Sequence, residues 1–313
     1  MRRISPVLLA LELLLAPPAS QAEEAAGSPP RRSLAGHLFI PREQVSDPFT
    51  TSFVSSSSGV ASGSASGPTF DIHGQPVSIE DYKILSYSQL FTGQWGVADF
   101  WALRLRFLGT IYSGANASGV AGIGVNGVVR GSVGTTFSFQ LADNLRLGAV
   151  IDVSFGPSVG ISILQAIQES ISSGSVQTPV TSQYSTTVSP TLSLAWAVAR
   201  GFGALFNATY VNGVVEVNYA TSDVDMVVVQ GALDLDLREL GSIPLGLALD
   251  YSAGYSIGNQ RFRRYVLGLG FFYTGRPGLT LGLDLGYRRA PLGTKDVFTT
   301  AISGIFSLRY SFN

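Results

Sequence analysis

A serine motif in the middle of the chain offers the first candidate for chemistry. Residues 156–160 (GPSVG) match G-x-S-x-G and lie between a predicted strand and a stretch with helical spacing, which is the setting of a hydrolase nucleophile. Such a serine needs a histidine base further along the chain. Both histidines, His37 and His73, precede it and lie in irregular segments. The same absence of a strand histidine argues against a membrane phospholipase with a histidine and serine pair. We interpret the motif as a turn leaving the sheet.

Two other kinds of chemistry are disfavoured as well. Residues 122–127 (GIGVNG) match G-x-G-x-x-G, but they run into a strand instead of opening a helix, so we interpret them as a flexible loop. The chain has no cysteine, which excludes thiolate metal sites, cysteine nucleophiles and disulfides. We therefore expect no enzyme, no cofactor and no metal site.

The clearest structural signal lies at the end of the chain, in residues 298–313 (FTTAISGIFSLRYSFN). Apolar and aromatic residues occupy the even positions 302, 306, 308, 310 and 312, and small or polar residues occupy the odd positions 299, 303, 307, 309 and 311. A period of two describes a strand with one oily and one polar face. The oily row consists of Ile302, Phe306, Leu308, Tyr310 and Phe312.

This alternation recurs along the chain and predicts about twelve strands. Their predicted positions are 48–55, 82–92, 101–107, 133–141, 145–155, 192–198, 202–211, 227–237, 245–255, 265–273, 279–287 and 298–313. The faces of 202–211 are ambiguous. Residues 55–67, almost all Ser, Gly and Ala, predict a flexible exposed loop, and residues 93–96 predict a tight turn. Turns near 94, 143, 200, 241 and 276 are mostly tight, whereas the connections at the opposite end are mostly longer.

The composition of the polar faces indicates which face is inside. They consist mainly of Gly, Ala, Ser and Thr, and Lys83 and Lys295 are the only lysines. A solvated outer face would carry many more charges. Small residues that enclose a lumen, with apolar rows against lipid, explain the pattern better, and closure satisfies every edge group. Charged residues make up only 13% and the net charge is −1, so nothing favours nucleic acid.

Aromatic residues cluster near both ends of the predicted strands. With this placement the chain resembles bacterial outer-membrane β-barrels. The resemblance implies an all-β fold, a transmembrane antiparallel up-and-down barrel of about 12 strands, in contact with outer-membrane lipid. It also implies that the barrel-insertion machinery reads the C-terminal strand, although Phe312 is penultimate and Asn313 follows it.

The N-terminus predicts export. Residues 1–22 combine Arg2 and Arg3, an apolar run and a small-residue cleavage site, as in a signal peptide. We divide the chain into a signal peptide (1–22), an irregular N-terminal leader (23–46) and a barrel (47–313).

A helix is predicted over residues 161–172, in the longest external connection. Ile161, Leu164, Ile167 and Ile171 recur at helical spacing, and Glu169 lies elsewhere on the surface of the helix. They either cap the barrel mouth or fold into the lumen as a constriction. The residues concerned are Ile161, Leu164, Ile167, Glu169 and Ile171.

Inward-facing charges of both signs are the candidate site. They either select solutes by charge or pair across the lumen and fill it. We expect a barrel giving narrow, passive passage to small polar solutes; a non-conducting structural or surface-interaction barrel is the alternative. The lumen-lining candidates are Arg104, Arg106, Arg130, Arg146, Asp152, Asp234, Asp236, Asp250, Asp284 and Arg309.

Overall fold

The structure is a computed structural model. It describes residues 32–70, 76–116, 122–161, 180–217, 220–241, 243–257, 263–276, 278–291 and 298–312. No helix in these ranges is long and apolar enough to cross a membrane.

Twelve strands of the described residues form a closed antiparallel barrel, which confirms the predicted fold class. Each strand pairs with the next along the chain, and the last pairs with the first from Phe312↔Ser52 to Thr299↔Ala65. The strands are β3 (Ser52–Phe70), β4 (Pro76–Ala98), β5 (Trp101–Asn116), β6 (Gly122–Ala142), β7 (Leu145–Ile161), β8 (Val180–Ala199), β9 (Phe202–Val217), β10 (Ala220–Asp236), β11 (Leu245–Ser256), β12 (Arg263–Arg276), β13 (Leu279–Pro291) and β14 (Phe298–Phe312).

The serine-rich stretch 55–67 is a strand, so the prediction of a loop there was wrong. It forms most of β3 and pairs with β14 on one side and β4 on the other. Its outward hydroxyls find polar partners in the neighbouring strand, since Ser58 donates to Oε1 of Gln89 (2.5 Å) and Gln89 donates to Ser56 (2.9 Å). Backbone pairing on both edges forms the strand despite weak intrinsic β propensity.

Three predicted interruptions of the sheet are also wrong. The chain does not turn at 93–96, because β4 continues to Ala98. Residues 122–127 lie in β6, and residues 156–160 lie in β7 and pair with β8. Glycine inside a strand can mark a close approach of another backbone instead of a turn. A Cβ at Gly96, for example, would lie 2.5 Å from the carbonyl oxygen of Thr50.

Apolar side chains face outward and small or polar ones face inward, as predicted. On β5, Leu103 and Leu105 are each about half exposed, whereas Arg104, which lies between them, is buried. The ambiguous strand β9 is now assigned: Phe206 points outward with 48% exposure, and Leu205 points inward with 1%. An apolar residue is buried inside the barrel because the lumen contains part of the chain itself.

That part is residues 32–51, which we call the plug. It lies at the end of the barrel where the strands are joined through 99–100, 143–144, 200–201, 237–244 and 277–278, which we call the short-turn end. The connection between β10 and β11 contains helix α1 (Leu237–Gly241). The plug starts with a hairpin of β1 (Ser33–Leu34) and β2 (His37–Leu38). Its two turn residues, Ala35 and Gly36, both have positive φ (45° and 82°), as a two-residue type I′ turn requires.

Candidate functional site

The plug brings its own apolar core into the lumen. Leu34, Phe39, Val45 and Phe49 are all at most 3% exposed and pack with inward residues of the wall, among them Leu205. The rings of Phe39 and Phe49 lie 5.2 Å apart. This cluster explains how a small-residue lumen can bury aromatic groups. The wall members of the cluster are Ala195, Ala197, Leu205 and Ala232.

Acidic residues of β10, β11 and β13 bind the side chains of His37 and Arg42 of the plug. Nε2 of His37 lies 2.5 Å from Oδ1 of Asp234, whose Oδ2 accepts a hydrogen bond from the backbone of Ile40 (3.1 Å). The guanidinium of Arg42 pairs with Asp250 and, at 2.5 Å, with Asp284. These wall carboxylates are buried, and their partners among the described residues belong to the plug.

The acidic residues of the plug lie against the neighbouring part of the wall, formed by β14 and β3. Glu43 accepts a hydrogen bond from Ser57 of β3 (2.6 Å). Asp47 pairs with Arg32 within the plug and lies 4.0 Å from Arg309 of β14. Burial opposes ionisation of Asp47, but the two guanidinium groups outweigh it and hold its pKa below the ordinary value.

Polar contacts to the plug backbone complete the docking. Gln94 of β4 donates to the carbonyl groups of Phe49 (2.8 Å) and Thr51 (3.0 Å). Gln230 of β10 donates to the carbonyl of Gln44 (2.5 Å). Because these amide groups come from widely separated strands, they fix the plug across the width of the lumen.

Inward glycines make room for the plug. A Cβ at Gly148 would lie 2.6 Å from Cβ of Pro48, and one at Gly203 would collide with the ring of His37. Cβ atoms at Gly246 and Gly270 would collide with Ile40 and Arg42. The glycines of the predicted inward rows therefore form the surface on which the plug rests.

A cavity of about 50 Å³ remains between the plug and the wall formed by β3, β4, β5 and β14. Its lining includes Arg104 and Arg106 of β5 and Arg309 of β14. Arg104 pairs with Asp152 of β7, and Arg309 stacks on Phe53 with its guanidinium carbon 3.3 Å from the ring centroid.

The ten predicted lumen residues fall into three groups. Asp234, Asp250 and Asp284 hold the plug; Arg104, Arg106 and Arg309 line the cavity. The other four belong to neither group: the guanidinium of Arg146 lies 5.4 Å from the ring centre of Phe49, and Asp152 pairs with Arg104. Arg130 is exposed on the inward face of β6, and Asp236 accepts a hydrogen bond from the Arg238 backbone (3.1 Å) at the start of α1.

Of the predicted helix at 161–172, only Ile161 is within the described residues, as the last residue of β7. Leu164, Ile167, Glu169 and Ile171 lie outside them.

The sequence interpretation missed the plug, which it assigned mostly to an irregular leader. One signal could have revealed it. Residues 37–49 mix Phe39, Ile40 and Phe49 with charged residues, whereas a solvated leader would lack such large apolar groups.

Comparison with known proteins identifies the fold. No protein-family model matches the chain, and no curated protein matches it. The translocator domain of autotransporter NalP from Neisseria meningitidis is 11% identical, over 84% of this chain and 89% of that one, with a TM-score of 0.51. The β domain of the Bordetella autotransporter BrkA is 12% identical, over 83% and 100%, with a TM-score of 0.52.

The transport unit of the autotransporter AIDA-I from Escherichia coli gives a similar result. It is 10% identical, over 89% of this chain and 95% of that one, with a TM-score of 0.52. Together with the closed barrel and its apolar outer face, these similarities show that the chain has the fold of the bacterial outer-membrane β-barrels.

Proposed function

We propose that the protein is an outer-membrane channel for small polar solutes that the plug keeps closed. On this proposal residues 1–22 direct export, the insertion machinery reads strand β14, and the short-turn end faces the periplasm. The apolar outer rows contact lipid. On this proposal the chain has no catalytic role, and two observations support this: His37 contacts Asp234, and residues 156–160 lie inside a strand.

The observation that carries the proposal is how the plug is held. Its cationic groups reach the wall through ion pairs, and its backbone through two glutamine side chains, while the wall itself remains a complete cylinder. Removal of the plug therefore breaks no strand pairing. It would leave a lumen lined by small and polar residues, which suits hydrated solutes.

Conductance of the purified full-length protein in planar bilayers tests this. We expect the native protein to show few or no steps and Arg42→Gln to show resolvable steps, because loss of one partner of a buried ion pair costs about 3–5 kcal/mol. Arg200→Gln is the control, since Arg200 is 75% exposed at a turn and pairs there with Glu239.

A second measurement reports on the plug independently of conductance. The chain has no cysteine, so Ser193→Cys gives a single thiol on the wall, where Ser193 is 1% exposed beside Gly148 and Pro48. Arg42→Gln should increase its labelling rate at least about tenfold. Labelling without conductance would overturn the proposal in favour of the alternative, a non-conducting structural or surface-interaction barrel.

A further inference from the structure

The cavity between the plug and the wall has the features of a binding site. Its volume of about 50 Å³ gives room for about three or four water-sized groups, since each needs roughly 10–15 Å³. That is the size of a carboxylate group or a small inorganic oxyanion.

Several buried hydrogen-bond donors on residues that line this cavity have no acceptor in the described part of the chain. They are Nε of Arg104, Nε and Nη2 of Arg309, and Oγ1 of Thr92. Arg104 and Thr92 are each 8% exposed, and the Arg309 side chain is 11% exposed. A buried donor without an acceptor costs about 1–3 kcal/mol, and more when it is charged. An acceptor in the cavity would remove this cost for several groups at once.

The charges around the cavity favour a negatively charged acceptor. Arg42 and Arg104 are engaged by wall carboxylates, and Asp47 pairs with Arg32. Arg309 shares Asp47 with Arg32, so the lining of the cavity carries the guanidinium groups of Arg42, Arg104, Arg106 and Arg309 against the two carboxylates of Glu43 and Asp47. Among the described residues, Arg106 forms no direct ion pair, and its side chain is half-buried.

We propose that this cavity binds a small monovalent oxyanion, either a free inorganic ion or the carboxylate of a small molecule. The guanidinium groups of Arg104, Arg106 and Arg309 and the hydroxyl of Thr92 donate to its oxygen atoms. Charge-assisted hydrogen bonds of this type are the strongest that a protein offers to oxyanions. The site concerns binding at equilibrium, so it holds whether or not the lumen conducts.

Calorimetric titration of the detergent-purified full chain with sodium acetate and with sodium phosphate at pH 7 tests the proposal. We expect saturable binding of at least one of them. Acetate alone indicates a carboxylate ligand, and phosphate alone or both indicate that inorganic oxyanions also fit. Absence of saturable binding of either ion would overturn the proposal and leave the cavity to water.

Two variants locate the binding. Arg106→Gln should weaken it at least about tenfold, the effect of losing one charged hydrogen bond. The matched control is Arg288→Gln, because Arg288 also lies on an inward row, in β13, but does not line the cavity. Equal losses in both variants would show that the binding lies elsewhere.

The second variant, Thr92→Val, is nearly isosteric and preserves all charges. If Thr92 only packs, removal of its unpartnered hydroxyl leaves anion affinity unchanged and raises thermal stability. If it donates to the anion, affinity falls severalfold and the stabilisation that acetate or phosphate gives to the folded protein shrinks. Unchanged affinity in this variant would contradict the assignment of Thr92.

Discussion

At the scale of single residues, the carboxylate of Asp47 connects the plug to the barrel wall. Asp47 is the plug residue on which two arginines converge, Arg32 from the plug and Arg309 from the wall. It precedes the first barrel strand, and its contacts join the start of the plug to the last strand of the barrel. Its ionisation is therefore coupled to docking.

This coupling predicts loosening in acid. The pKa of Asp47 is lowered in the folded protein, because the attraction of both arginines outweighs burial. A lowered pKa contributes stability that is present above the unfolded value of about 4 and is lost as the pH falls through the folded value. We expect conductance steps of the native protein to become more frequent below about pH 4.

The control for this prediction is Asp47→Asn. This variant should already open at neutral pH and should show a smaller further increase in acid. If its conductance rises with acid as steeply as that of the native protein, another group is responsible for the response.

At the scale of elements, the inward rows of the strands fit the plug. Gly203 on β9 faces the ring of His37, and a side chain there would displace it. Overpacking of a close-packed site costs about 1–3 kcal/mol. Gly203→Ala should therefore raise the labelling rate of Ser193→Cys by about five- to one-hundredfold, because the plug must shift.

Gly109→Ala is the matched control for this substitution. Gly109 lies in β5, and a Cβ there would meet no atom within 4 Å. Gly109→Ala makes the same chemical change as Gly203→Ala, and both residues lie in strands of the barrel. An equal effect of both substitutions would show that glycine acts through strand propensity and not through the space it leaves.

The strands also show what the sequence could predict and what it could not. The number of strands was predicted, and eleven of the twelve were located, because lipid on one face and a lumen on the other impose a period of two, as in Leu279–Tyr287; most of β3 was predicted as a loop. The ends of the strands were not predicted, because backbone pairing in β4 and β6 continues beyond the apolar rows. The predicted row at 133–141, for instance, belongs to a strand that starts at Gly122.

The wall residues of the site were predicted, but the plug residues that they bind were not. Alternation placed Asp234, Asp250 and Asp284 on inward faces, but their partners His37 and Arg42 lie in a segment without periodicity. Pairing between residues 197 positions apart, as in His37 and Asp234, leaves no local pattern. The inward glycines of β7, β9, β11 and β12 were the visible trace of the plug, and they were interpreted only as small lumen residues.

At the scale of the whole molecule, the apolar outer face of the barrel requires a lipid bilayer around it. Leu283 on β13 is 47% exposed on the outward face and pairs with Phe271 and Phe306 on the neighbouring strands. Arginine near the bilayer midplane of such a barrel costs about 2–4 kcal/mol. Leu283→Arg should therefore lower the free energy of unfolding by about that amount, measured by urea titration in lipid vesicles.

Leu240→Arg is the control, since Leu240 is 57% exposed in α1 at the short-turn end. It should change the unfolding free energy by at most about 1 kcal/mol. A freely soluble protein that tolerates both substitutions equally would contradict the placement of the apolar rows against lipid.

The plug comes before every barrel strand along the chain, yet the carboxylates that hold it are on β10, β11 and β13. The ribosome therefore synthesises the plug before the barrel, and it synthesises the strands that bind the plug near the end of translation. If the chain is exported as proposed, the plug has no complete wall to bind until almost the whole polypeptide has crossed the inner membrane. Docking of the plug would then be among the final events of biogenesis, and a prematurely terminated chain that lacks β13 and β14 would have neither a complete cylinder nor a bound plug.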